Sequence, residues 1–268
     1  MYDAPRRAPL MPLDEALQRL LAHAAPLGGT ESVNIFDADG RVLAQDVVSA
    51  LQVPPNDNSS MDGYAVRAAD VTAGVELPVT QRIAAGHAGE PLAPGSAARI
   101  FTGAPMPAGA DAVVMQEDTE ALDDGRVRIH AVPTAGQWVR AAGEDVTRGA
   151  VILQKGERLA PASIGLAAGI GLAALQVATR PRVVLFSTGD ELVMPGEPLP
   201  PGAIYNSNRY VLRGLLEALG CEVNDLGIVP DKLDATRAAL RDAASRNDLI
   251  VTSGGVSVGE EEDRKSVV

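Results

Sequence analysis

RVVLFSTGDEL, residues 182–192, decides the fold class of the C-terminal part of this chain. An apolar run that ends in a polar loop is typical of a strand buried on both faces, as in a parallel sheet. Similar strand-like runs follow in CEVNDLGIVPD (221–231) and DLIVTSGG (248–255). Two amphipathic segments separate them, NRYVLRGLLEALG (208–220) and KLDATRAALRDAASRN (232–247). This alternation predicts a mostly parallel sheet with right-handed helical crossovers.

The region before this sheet is rich in short strand-like runs. Residues from about 65 to 130 contain ELPVTQRI, AARIFTG, DAVVMQ and RVRIHAV, separated by Gly, Pro and Asp turns, which predicts a β-rich domain. Nearer the N-terminus, PLDEALQRLLAHAAPL (12–27) predicts an amphipathic helix, and Asp39-Gly40 predicts a hairpin turn between two alternating segments. After the β-rich region, Pro161 is expected to open a short helix and LAALQVAT (172–179) to form a strand.

The composition excludes several classes of function. Hydrophobic residues make up 46% of the 268 residues, which is enough for packed cores. A formal charge of −12 argues against nucleic acid as a partner, because phosphate backbones are bound by an excess of Lys and Arg. The single cysteine, Cys221, leaves no internal disulfide and fits a reducing compartment. With neither a secretory signal nor an apolar stretch of ~20 residues, we expect a cytoplasmic protein without a membrane span.

Three polar loops follow the predicted strands of the parallel sheet. They are STGDE (187–191), VPD (229–231) and SGGVSVGEEED (253–263). Ligands of an open parallel sheet bind beyond the carboxyl ends of its strands, so these loops are expected to share one edge. Glycine amides and hydroxyls suit phosphate oxygens, whereas clustered carboxylates need a divalent cation before an anion can bind among them. Each loop alone would be interpreted as solvated, but together they predict a Mg²⁺ site beside a phosphorylated substrate.

Seven segments between residues 54 and 261 resemble one known family. PPNDNSSMDGYAVRAAD, RIFTGAPMPAGADAVVMQED, RAAGEDVTRGAVILQKG, VVLFSTGDEL, GAIYNSNRYVL, LGIVPD and SGGVSVGEE occur in this order. Together they closely resemble the molybdopterin molybdenumtransferases, the MoeA and gephyrin E-domain family. SMDGYA, TGAP and GGVSVG at these spacings are highly specific, and the resemblance runs from about residue 13 to residue 261.

The resemblance implies a multidomain fold that combines α/β and β-rich parts. An elongated, discontinuous first domain would comprise residues 1–52 plus 146–179, and a β-rich insert domain residues 53–145. Residues 180–268 would form the first half of a three-layer α/β molybdopterin-binding domain with a mostly parallel sheet. The C-terminal β-domain of the family is expected to be absent, so the resemblance describes a C-terminally truncated member.

The resemblance also implies an enzyme of molybdenum cofactor biosynthesis. Such a transferase inserts molybdenum from molybdate into adenylylated molybdopterin and releases AMP in a Mg²⁺-dependent step. The partners it implies are small-molecule substrates, a second copy of the chain in a homodimer, and a molybdopterin adenylyltransferase for hand-over. Two other interpretations stay open. The carboxylates retained in all three loops argue against a molybdopterin-binding scaffold without insertion activity, and the SMDGY and FTGAP region argues against a stand-alone adenylyltransferase-like protein.

Matched positions carry the roles that the resemblance implies. Asp62 and Thr102 would be catalytic residues of the second domain that face the third domain of the partner subunit. Asp145, Glu191 and Asp231 would be the catalytic acidic set around metal and molybdate, with Glu191 and Asp231 as metal ligands. The expected cofactor-binding residues are Ser187, Thr188, Gly189, Asp190, Ser253, Gly254, Gly255, Ser257 and Gly259.

The last residues depart from the family pattern. Glu262 stands where the family has Asp, and Asp263 follows one place late. DRKSVV (263–268) matches a translation of a common sequencing-adapter sequence, so we interpret these residues as non-native, with a genuine short tail as the alternative. We expect the chain alone to be poorly stable and inactive, because its third domain would lack later strands.

Overall fold

A computed structural model describes residues 11–254 of the chain. Gly255, Ser257 and Gly259, together with the 263–268 tail, lie outside the described residues. The chain divides into two compact units. Residues 33–175 form the first, which we call the β unit, and residues 11–32 with 176–254 form the described part of the second, the α/β unit.

The described residues form strands, four α-helices and three short 3-10 helices. The helices are α1 (Leu13–His23), α2 (Pro161–Gly169), α3 (Asn208–Ala218) and α4 (Leu233–Arg246). The strands are β1 (Thr30–Asn34), β2 (Val47–Val48), β3 (Asn58–Ser59), β4 (Gly63–Val66), β5 (Glu76–Ile83), β6 (Ala97–Ile100), β7 (Ala112–Met115), β8 (Thr119–Ala121), β9 (Arg126–Ile129), β10 (Val139–Arg140), β11 (Val151–Leu153), β12 (Ala174–Ala178), β13 (Arg182–Thr188), β14 (Leu192–Val193), β15 (Ile204–Tyr205), β16 (Glu222–Val229) and β17 (Leu249–Ser253).

The α/β unit contains the predicted parallel sheet. Its strand order is β16-β13-β17, and β13 pairs in parallel with both neighbours. Residues 183–188 of the central strand are buried, which explains their unbroken apolar character up to Ser187. Helices α3 and α4 form the crossovers, as the amphipathic patterns predicted. The short parallel pair β14 and β15, within the connection from β13 to α3, was not predicted.

The β unit is built around a six-stranded sheet in the order β7-β4-β6-β5-β9-β8. All four strand-like runs of the sequence correspond to strands of this sheet. Strand β4 sends Tyr64 and Val66 into one buried cluster and Ala65 into another, as the two-residue period of a strand requires. The sheet therefore has an apolar core on each face, and the prediction of a β-rich region is confirmed.

The hairpin predicted around Asp39-Gly40 is wrong. Strand β1 pairs with β12, and β2 pairs antiparallel with β11, so neither flanking segment pairs with the other. Their partners are distant in sequence, and a local turn signal carries no information about such pairing. The predicted helix near the N-terminus, the helix opened by Pro161 and the strand that follows it are confirmed as α1, α2 and β12. The three-domain boundaries stay a prediction.

None of the helices between residues 11 and 254 has the length and apolar character of a membrane-spanning segment.

Candidate active site

Asp62 and Thr102 are in direct contact in the β unit. Asp62 lies between β3 and β4, and Thr102 follows β6. The backbone N–H of Thr102 donates to Asp62 Oδ1 at 2.8 Å, and the Thr102 hydroxyl donates to the same oxygen at 2.7 Å. The sequence placed these residues in two separate motifs, and the antiparallel pairing of β4 with β6 brings the motifs together.

These hydrogen bonds determine the protonation of Asp62. The backbone donor and then the hydroxyl of Thr102 lower the pKa of this carboxyl below its usual value, and the positive charge of Arg99 adds to the effect. Desolvation acts in the opposite direction but is outweighed. Asp62 is therefore an ionised, hydrogen-bond-accepting group at neutral pH.

Packing against a neighbouring strand requires the glycine of the SMDGY motif, Gly63. A Cβ on Gly63 would overlap the carbonyl oxygen of Val114 and lie 3.0 Å from Met115 Cα. Both atoms belong to the backbone of β7, which pairs with β4. Only glycine permits this close approach of two strands next to Asp62.

Asp145 occupies another part of the β unit. It is exposed, forms an ion pair with Arg140, and its backbone N–H donates to Val53 O at 2.9 Å. This ion pair raises the pKa of Arg140. Among the described residues, no hydrogen bond or ion pair joins Asp145 to Asp62 or Thr102.

Two of the three predicted loops can be followed fully in the α/β unit, and the third begins there. Parallel register places Thr188 opposite Val229, and Ser187 opposite Ser253. The hydroxyls of Ser187 and Ser253 are 2.9 Å apart and hydrogen-bonded. The carboxyl ends of β13, β16 and β17 therefore share one edge, as the sequence predicted, and Gly254 lies exposed just beyond it.

The acidic residues of this edge lie in the loops after β13 and β16. Gly189 has a φ of 147°, and a Cβ there would come within 2.5 Å of the Glu191 carboxylate, so glycine lets this side chain fold back over the turn. Glu191 and Asp190 are exposed, whereas Asp231 is partly buried. Among residues 11–254, no three His, Cys, Asp or Glu side chains are grouped as metal ligands.

Asn206 is a polar residue of this unit to which the sequence interpretation gave no role. It is 2% exposed and precedes α3, where its Oδ1 accepts from the Arg209 N–H at 3.3 Å. Its Nδ2 is buried without a hydrogen-bond partner among the described residues. Because α3 runs antiparallel to the sheet strands in this crossover, its N-terminus lies toward their carboxyl ends. Asn206 lies in GAIYNSNRYVL, one of the segments that resemble the family. The sequence alone could not single out this residue, because it does not reveal which amide is left unpaired in the fold.

Family models and known proteins match both the β unit and the α/β unit of this chain. Residues 11–171 match the family model of the MoeA N-terminal region (domain I and II), and residues 184–266 match a probable molybdopterin binding domain. A molybdopterin molybdenumtransferase from Haemophilus influenzae is 42% identical over 97% of this chain. One from Bacillus subtilis is 38% identical over 95%. The chain spans only 64% and 61% of the lengths of these two relatives.

Solved structures resemble the chain over a similar extent. A crystal structure of the molybdopterin biosynthesis MoeA protein from Pyrococcus horikoshii matches with a TM-score of 0.85 and 33% identity. The match covers 92% of this chain and 67% of that one. The combination of an α/β part and a β-rich part is therefore shared with solved proteins.

Proposed function

The chain belongs to the MoeA family, and on this premise we propose that the protein carrying it is a molybdopterin molybdenumtransferase of molybdenum cofactor biosynthesis. Its substrates would be molybdate and adenylylated molybdopterin. The reaction would transfer molybdenum to molybdopterin, release AMP, and depend on Mg²⁺. The relatives, which are molybdopterin molybdenumtransferases, support the reaction class. AMP release is what the family resemblance implies, and the carboxylates at the sheet edge support the Mg²⁺ dependence.

The observation that carries this proposal is the common edge of β13, β16 and β17. Two hydroxyls, Ser187 and Ser253, lie there within hydrogen-bond distance of each other, and Gly254 follows. Carboxylates follow two of the strands, as Glu191 and Asp231. Hydroxyl and amide donors next to carboxylates are suited to an anionic substrate accompanied by a cation. A site that only held a pterin would not need these acids.

The donor chemistry of this edge fits Mg²⁺. Glu191 and Asp231 offer carboxylate oxygens, which are hard ligands, and Mg²⁺ is commonly held by one or two carboxylates together with substrate phosphates. These two residues would hold the ion. When bound, it would neutralise negative charge on the phosphates as AMP leaves.

The side chains of the chain would bind and orient the substrates. The hydroxyls of Ser187, Thr188 and Ser253 would donate to the molybdopterin end. The backbone N–H groups of Gly189, Asp190 and the glycine-rich loop that begins at Gly254 would donate alongside them. The buried Nδ2 of Asn206 is an unused donor that suits an anionic oxygen. In the proposed dimer, Asp62 would supply an ionised carboxylate, held by Thr102, to the partner subunit. Asp145 would supply a carboxylate paired with Arg140.

We also propose a homodimer, hand-over of substrate from a molybdopterin adenylyltransferase, and a cytoplasmic location. The apolar face of α1 supports the dimer, since Leu13, Leu17, Leu20 and Leu21 are all exposed within the α/β unit. Exposed leucines in one stripe of a helix are typical of a surface that another protein covers. The single cysteine supports a reducing compartment.

Assembly of the cofactor in vitro tests the proposed function. AMP release from adenylylated molybdopterin would be followed for the full-length protein containing this sequence, with and without molybdate and Mg²⁺. We expect release that requires both, and its loss in Asp62→Ala. If the unaltered protein binds molybdopterin tightly but releases no AMP, the enzyme hypothesis is rejected. That result would favour a molybdopterin-binding scaffold without insertion activity.

A further inference from the structure

We propose that Arg99 is a positioning residue for Asp62. It acts together with Gln116 by holding the backbone carbonyls of Asp62 and Gly63. The inference deepens the proposed function and rests on its assignment of Asp62 to the reaction. Neither Arg99 nor Gln116 was predicted from the sequence.

A closed set of hydrogen bonds surrounds this dipeptide. Arg99 Nη1 donates to Gly63 O at 3.0 Å, and Nη2 donates to Gln116 Oε1 at 2.8 Å. The backbone N–H of Gln116 donates to Asp62 O at 3.0 Å. Two successive carbonyls are therefore held by residues that bind each other. Thr102 holds the carboxylate of Asp62 from the other side, so both the main chain and the side chain are fixed.

Aromatic rings fix the orientation of the Arg99 guanidinium. Its Cζ lies 4.7 Å from the ring centre of Phe101 and 5.2 Å from that of Tyr64. Tyr64 is directly opposite Arg99 in the β4–β6 register. A planar guanidinium can stack on a ring and donate in two fixed directions from Nη1 and Nη2, whereas the donors of an ammonium group are rotatable and lie on a flexible stem. This geometry is what a clamp on two acceptors requires.

Arg82 provides a matched control on the same ring. Its Cζ lies 4.4 Å from the Phe101 ring centre, and β5 places it next to Arg99 in register. No hydrogen bond from the Arg82 side chain to the Asp62-Gly63 backbone or to Gln116 is found in residues 11–254. Loss of Arg82 therefore removes a similar charge and stacking contact but leaves the clamp intact.

The first measurement is the carboxyl titration of Asp62 in the full-length protein that contains this sequence. Selective ¹³C labelling of aspartate, assigned with Asp62→Asn, would follow the pKa. We expect Arg99→Gln and Arg99→Lys to raise it toward the ordinary aspartate value and Arg82→Gln to leave it unchanged. If Arg99→Lys titrates like the unaltered chain, charge alone suffices and the clamp is refuted.

The second measurement is AMP release by the full-length protein. With Asp62 misplaced, we expect kcat to fall about ten- to a hundredfold in Arg99→Lys, with KM unchanged, and Arg82→Gln to keep full activity. Equal rates in Arg99→Lys and the unaltered protein would overturn the inference but leave the proposed function standing. If the unaltered protein releases no AMP, the proposed function fails and the titration still decides the clamp.

A second variant covers the case in which Arg99→Gln does not fold. Gln116→Met removes the Oε1 acceptor but keeps the backbone N–H that binds Asp62 O. We expect the Asp62 pKa to rise there too, by less than in Arg99→Lys. An unchanged pKa in Gln116→Met would contradict the role given to Gln116.

Discussion

At the scale of single residues, the two carboxylate oxygens of Asp62 differ. Oδ1 accepts both hydrogen bonds from Thr102, whereas no hydrogen bond to Oδ2 is found in the part of the chain between residues 11 and 254. One oxygen thus fixes the side chain, and the other is available to an incoming donor or cation. The lowered pKa of Asp62 keeps this carboxylate ionised further into the acidic range than an ordinary aspartate.

The lowered pKa of Asp62 predicts how it contributes to stability as pH changes. A carboxyl whose pKa is lower in the folded state stabilises that state above its unfolded pKa, about 4, and loses the contribution as pH falls through the folded value. We therefore expect the unaltered chain to exceed Asp62→Asn in free energy of unfolding at pH 6. The difference should shrink below pH ~4, as measured by denaturant titration. A difference that grows on acidification would contradict the account.

Residue chemistry was only partly visible in the sequence. The Asp62 and Thr102 motifs could be found, because short motifs with glycine are distinctive. Arg99 and Asn206 could not be assigned, because their importance depends on which backbone carbonyls and helix termini surround them. Those neighbours are set by strand register rather than by nearby residues.

At the scale of secondary structure elements, the contact of β4 with β7 depends on Gly63. Gly63→Ala would force a methyl group against the backbone of Val114, so we expect a loss of about 1–3 kcal/mol in the free energy of unfolding. Gly165→Ala is the control, since a Cβ there meets nothing within 4 Å and alanine favours the helix α2. Thermal unfolding of both variants provides the comparison. Equal stability would show that the strands can separate without cost.

The ion pair of Arg209 and Asp225 joins α3 to β16. The Asp225 side chain is 8% exposed, and it accepts from Arg209 Nε at 2.7 Å and from the Gly227 N–H at 2.9 Å. Asp225→Ala leaves Arg209 unpaired and partly buried, which should cost about 3 kcal/mol of unfolding free energy. Glu217→Ala breaks the exposed Arg213–Glu217 pair and should change little. Similar losses in the two variants, measured by denaturant titration, would contradict this assignment.

The secondary structure elements were predicted well where the apolar residues repeat with a clear helical or strand period. The buried strand β13, the alternating β5 and the amphipathic α3 each follow from a repeating pattern within one segment. The pairing of β2 with β11 and the short strands β14 and β15 were missed. A two-residue strand has no period to detect, and its partner is fixed by tertiary contacts.

At the scale of the whole molecule, the exposed leucines of α1 predict self-association. Leu17→Lys places a charge in the apolar stripe, and we expect it to lower the dimer fraction at least about tenfold, since burying an unpaired charge is costly. Ala22→Lys, on the opposite side of the helix, serves as the control. Light scattering after size-exclusion chromatography of the full-length protein measures both. A dimer fraction unaffected by Leu17→Lys would exclude α1 from the interface.

The central claim is that carboxylates at the sheet edge bind the cation that accompanies the anionic substrates. The Mg²⁺ dependence of AMP release tests this claim most directly. Asp231→Asn should raise the Mg²⁺ concentration for half-maximal release at least about tenfold, or abolish release. Asp242→Asn, in the exposed pair with Arg246 on α4, should match the unaltered protein. Identical Mg²⁺ curves for Asp231→Asn and Asp242→Asn would contradict the account.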